Sequence, residues 1–149
     1  MKSSIAHLVR RTWLSITDST VSDADIDVVS QVLEPLEREM WDRMQSVDQR
    51  HSVRVLSRFR DALPNASRSE CAAVLLHDVG KSVSRLGTIG RIAATMGVLR
   101  TRRAAHYRDH ERLGVDLVRA QGIDDDVIAA MSGRGRVEFD RAFTLADDE

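Results

Sequence analysis

The chain has 149 residues, a formal net charge of -1 and a pI near 6.5. A length like this fits one domain that buries roughly 68–70% of its unfolded surface, enough for a core without disulfides or a structural metal, and the balanced charge excludes a global field for nucleic acid or anionic membranes. Cys71 is the single cysteine, so no intrachain disulfide can form and a reducing cytoplasm is the expected setting.

Apolar residues recur with helical spacing and strand-like alternation is scarce, so the expected fold is all-α, a single helical bundle. Ile5, Leu8, Val9 and Ile16 mark a first helix, ending before the polar run Thr17–Ser22. Met1–His7 lacks the apolar core of a secretory signal. Ser22 with Asp25 resembles a capping box opening a second helix. Pro35 suits the first position of a third, running through Met40 and Trp41. Ser46-Val47-Asp48-Gln49 reads as another capping box, followed by Val47, His51, Val55 and Phe59 along one face and a stop at Leu63-Pro64-Asn65. Ser67 and Glu70 repeat the pattern ahead of the apolar run Cys71–Leu76, in which Cys71 reads as a small buried hydrophobe. Gly80 is expected as the left-handed residue closing that helix.

Leu86–Leu99 is fairly apolar, but Arg91 and three glycines interrupt it, and no segment reaches the ~18–20 apolar residues that a membrane span needs. Helix is expected again from Tyr107 to Gly122. Asp124-Asp125-Asp126 then supplies acid to a helix start, with Val127, Ile128 and Met131 as its apolar face. Gly133-Arg134-Gly135 is a turn, and a short helix from Glu138 to Asp147 closes the chain.

His77 and Asp78 end the apolar helix, where unpaired carbonyls and the negative dipole pole favour a cation. His51 points inward from the Val47–Val55 face, and Asp147 ends the last helix. Zinc, manganese, iron, nickel and magnesium all accept mixed imidazole and carboxylate donors, and such donors on several helices can build a site inside a bundle. Taken singly, an inward histidine is more often a hydrogen-bonded core residue, and Asp147-Asp148-Glu149 reads equally as a solvated acidic tail.

The segments Asp48–Val53, Ala73–Lys81, His110–Val115 and Leu145–Asp147 match the ordered signature His…His-Asp…His…Asp. Over about residues 41–148 the chain therefore resembles the HD-domain family, and in particular the small HD proteins of actinobacteria. The resemblance implies one divalent ion held by His51, His77, Asp78 and Asp147, with Asp148 as a one-residue alternative to Asp147. It implies a phosphohydrolase acting on a nucleotide or other phosphate ester through activated water. Asp78 and Lys81 would act in catalysis, Lys81 would contact substrate, and His110 would belong to substrate or, as in two-metal relatives, to a second ion. Arg85 begins a basic stretch that runs through Arg91, Arg100, Arg102, Arg103 and Arg108 to Arg112, suited to phosphate by bidentate guanidinium contacts.

The chain departs from two-metal relatives in Ala130–Gly135, which holds no histidine, so one ion is expected. The same gap supports the alternative of a non-catalytic module that binds a phosphate ligand or a protein partner. A phosphate-containing small molecule is the expected partner, nucleic acid is not, and self-association stays open.

Overall fold

A computed structural model describes residues 20–81 and 110–148. The expected helix over Ile5–Ile16, the Leu86–Leu99 stretch, Arg85 and the Tyr107 helix start lie outside the described residues. Within them the fold is all-α, as the spacing predicts. Seven helices run in order: α1 Asp23–Val32, α2 Pro35–Asp42, α3 Ser46–Ala62, α4 Arg68–Leu76, α5 His110–Ala120, α6 Asp125–Met131 and α7 Val137–Asp147. Among the described residues no helix is long and apolar enough to cross a membrane.

The helix starts follow from their first turns. Ser22 Oγ accepts from the Asp25 amide at 3.2 Å, and Ser67 and Glu70 form a complete reciprocal box at α4. Pro35 takes the first turn of α2, where Glu34 and Glu37 make a further box that the sequence reading missed. The box expected at Ser46 is not formed. Gln45 is the cap residue, and its carbonyl accepts from the Asp48 and Gln49 amides at 2.8 and 2.9 Å. Gln49 is committed elsewhere, because its side-chain amide donates to the Trp41 carbonyl at 3.0 Å. Asp124 caps α6 through the Asp126 amide at 3.1 Å.

Among the described residues the left-handed glycines are Gly122 and Gly133, both in turns, and Gly80 is not one of them. After Leu76 the chain keeps winding right-handed through tight turns, with the Val79 amide on Leu76 and the Lys81 amide on Asp78. Gly80 is buried beneath Gly114, where an added Cβ would sit 3.3 Å from the Gly80 nitrogen. The glycine at 114 thus lets α5 approach the turn that carries the His-Asp pair.

The central helix is α4, which packs against α1, α2, α3 and α6. Every residue from Cys71 to Leu76 is buried, as a helix surrounded on all sides requires. Trp41 and Phe59 are fully enclosed beside it. The Trp41 indole donates to Ser52 Oγ at 3.0 Å, and Ser52 donates to the Gln49 carbonyl at 2.8 Å. Together with the bond from Gln49 to Trp41 this closes a ring of buried hydrogen bonds that fixes α2 against α3.

Two charge clamps join distant elements. Arg68, at the start of α4, donates to the buried Glu37 carboxylate at 2.8 Å and to the Val32 carbonyl at 3.2 Å. Breaking such a pair strands a buried charge, at a cost of about 3–5 kcal/mol. Arg136 grips Glu70 in bidentate fashion at 2.7 and 2.8 Å. That grip holds the Glu70 carboxyl below its ordinary value and pins the start of α7 to the start of α4.

Candidate metal centre

Helix α7 lies along α3 and presents Phe139, Phe143 and Asp147, four residues apart, on one face. Phe59 meets Phe139 edge-on at 5.3 Å between ring centres, Phe139 stacks on Phe143 at 5.8 Å, and Phe143 meets His77 edge-on at 5.3 Å. An aromatic ladder thus leads from the core to the His77 imidazole and restricts its rotation. The far end of α7 is held by Arg58, whose guanidinium donates to the Ala146 carbonyl at 3.3 Å.

Four of the expected residues come together here. Nε2 of His51 lies 3.0 Å from Asp147 Oδ1. Nε2 of His77 lies 3.5 Å from the same oxygen and 3.4 Å from Asp78 Oδ2. Donor atoms of His51, His77 and Asp78 all fall within 4.8 Å of one another. Asp78 is almost wholly buried, whereas Asp147 is partly open to solvent. Asp148, the alternative, is the exposed cap residue of α7.

The protons on His77 decide what this cluster can hold. Nδ1 lies 2.6 Å from the Val74 carbonyl, which can only accept, so Nδ1 carries a hydrogen. In a neutral ring, Nε2 would then aim a lone pair at two carboxylate oxygens, which is repulsive. Either a second proton or a metal cation must lie between them. Without a metal the proton does so. Burial opposes the charge and is the strongest single influence, but hydrogen bonds to Asp147 and Asp78, with the Asp78 charge, outweigh it and raise His77 to about 10. The same contacts, from His51 first and then His77, hold the Asp147 carboxyl well below the usual carboxylate range.

The spacings also suit donors arranged around a single ion. Separations of 3.4 and 3.5 Å are long for N–H···O bonds. Two donors each about 2.1 Å from one ion, at right or tetrahedral angles, sit about 3.0–3.4 Å apart. The C-terminal ends of α4 and α7, the negative poles of their dipoles, carry His77 and Asp147 and favour positive charge. Two imidazoles and two carboxylates suit a transition ion better than magnesium or calcium, which prefer oxygen alone.

A cleft of about 390 Å³ opens over the cluster, bounded by Lys81 on the polar side and by Met131 and Phe143 on the apolar side. Lys81 Nζ donates to Asp78 Oδ2 and lies 3.7 Å from Asp48 Oδ1. Glu111 and Asp140 also line the cleft, and sequence reasoning assigned neither a role. Asp140 lies one turn before Thr144 on the α7 surface, a position that could have been read from the Asp147 helix. Of the remaining expected residues, Arg85 lies outside the described residues, and His110 is described only as the first residue of α5. The wall opposite the cluster includes Ala130, Met131 and Gly133, none of them a histidine or a carboxylate. Comparison of the chain with protein-family models, with curated proteins and with solved structures returned no match.

Proposed function

We propose that the protein is a metal-dependent phosphohydrolase of the HD type, acting on a nucleotide or another phosphate ester. The observation that carries this reading is the convergence of His51, His77, Asp78 and Asp147 with His77 Nδ1 already committed to a carbonyl. A divalent ion held by these residues supplies a Lewis acid that makes water more acidic and offsets phosphoryl charge.

The chain's own groups do the rest. Val74 fixes the His77 ring so that Nε2 faces the cleft side of the cluster. Lys81 lines the cleft and places its ammonium charge beside the phosphate oxygens as charge develops on them. Phe143 and Met131 form the apolar wall that limits water around the reacting group. The absence of histidine along Ala130–Gly135 supports a single ion.

That same absence favours a second reading, a non-catalytic module that binds a phosphate ligand or a protein partner. Hydrolysis separates the two. Protein loaded in turn with manganese, iron, nickel, zinc and magnesium is expected to cleave at least one member of a panel of nucleotides and model phosphodiesters, and to lose that activity on chelation. A protein that holds a stoichiometric ion and cleaves none of the panel contradicts the enzyme. Ligand binding that survives His77→Ala then identifies the module.

A further inference from the structure

Lys81 makes its ion pair with Asp78 through Oδ2, the same oxygen that faces His77 Nε2 at 3.4 Å. The oxygen best placed to meet the proposed ion is therefore already neutralised by an ammonium from the same chain. A second carboxylate stands close behind. Asp48 Oδ1 is 3.7 Å from the same nitrogen, and its side chain is 7% exposed against 15% for Lys81. Asp48 occupies the first turn of α3, three residues before His51, and is not among the residues lining the cleft.

One ammonium thus stands between two buried carboxylates, of which Asp78 meets the histidine cluster. A divalent ion at Asp78 Oδ2 and an ammonium on the same oxygen repel each other, and the burial of Asp78 limits the screening. The lysine stem is flexible enough to swing from one carboxylate to the other. We propose that Lys81 is a built-in competitor for the ion at Asp78, and that Asp48 is the positioning residue that receives its ammonium when the ion binds. Asp48 then keeps the displaced cation paired beside the cleft instead of releasing it to solvent. The arrangement also filters ions, because only those bound tightly enough to displace the lysine enter. Two imidazole donors give that advantage to transition ions over magnesium.

The inference rests on the ion site proposed above and is tested by Mn²⁺ affinity alone, measured calorimetrically on the full chain. Lys81→Met is expected to raise the affinity about tenfold or more, since outer partners of metal ligands carry effects of 10–100-fold. Asp48→Asn is expected to lower it by about tenfold, because the ammonium is left with Asp78 as its nearest carboxylate. In the Lys81→Met background the same Asp48→Asn change is expected to shift affinity less than about threefold, within the range of small outer effects. Asp48→Ser gives the same readout if the asparagine variant does not fold. An unchanged or lower affinity in Lys81→Met overturns the proposal. So does an equal loss from Asp48→Asn in both backgrounds, since the aspartate would then act by its charge alone. Wild-type protein that binds no Mn²⁺ overturns the ion site as well, whereas wild-type binding with unresponsive variants overturns only the role given to Lys81 and Asp48.

Discussion

Asp78→Asn is expected to reduce divalent-ion affinity by at least about a hundredfold, or about 2.7 kcal/mol, while leaving the helical fold intact. Removing an outer partner of a metal ligand already costs 10–100-fold, and Asp78 is expected to be a ligand itself. The asparagine keeps the shape of a side chain that is 2% exposed, so no cavity opens beneath it. Lys81 keeps Asp48 within 3.7 Å, so its ammonium is not stranded. Metal analysis after dialysis, beside far-ultraviolet circular dichroism, reads both quantities. Wild-type protein should carry about one ion per chain and the variant close to none. A variant that keeps its ion within a few-fold of wild type would place the ion elsewhere.

Metal uptake at neutral pH is expected to release about one proton from His77. The sign follows from the folded-state value. His77 is raised from 6.5 to about 10, so in the metal-free protein its ring is charged at pH 7. The stability this charge contributes is complete below about pH 6.5 and is lost as pH rises through about 10. Asp147 runs the other way: its carboxyl is depressed, so its contribution is present above its ordinary value near 3.8 and is lost in acid. An ion can take Nε2 only after the proton has left. Between pH 7 and 9 the apparent affinity should therefore rise about tenfold per pH unit. Calorimetry in buffers of different ionisation enthalpy measures the proton directly. An affinity that stays flat across this window, with no buffer-dependent heat, would mean that His77 is not a ligand.

Much of the fold was legible because local rules and tertiary packing agree. Helix α4 announced itself through the Ser67-Glu70 box and an unbroken apolar run, and it is buried on every side. His51 was legible as inward-facing from Val55 and Phe59, which share its face and are fully enclosed. Two expectations failed for reasons that lie beyond local sequence. Ser46 carries the right side chain for a cap, but Gln49 is drawn away by the Trp41 carbonyl, eight residues distant. Gly80 has the freedom to turn left-handed, yet it serves close packing against Gly114, more than thirty residues further along the sequence.

The candidate site was legible in part. Spacing placed His77 and Asp78 at a helix end, but only the family resemblance singled out Asp147 from a tail of three acidic residues. The aromatic ladder through Phe139 and Phe143 explains why that residue reaches the site: the stripe that buries α7 carries its last member to His51. Pairings across long sequence separations left no local signal. The grip of Arg136 on Glu70 and the position of Lys81 between Asp48 and Asp78 depend on how helices meet, and neither pairing is written in the residues' own neighbourhoods.

Anomalous scattering from a crystal of the manganese- or zinc-loaded protein is the most direct measurement. One peak is expected about 2.0–2.3 Å from Nε2 of His51, Nε2 of His77 and one oxygen each of Asp78 and Asp147. A loaded crystal with no peak there, and with His51 still bonded to Asp147, would contradict the metal centre and with it the proposed hydrolysis.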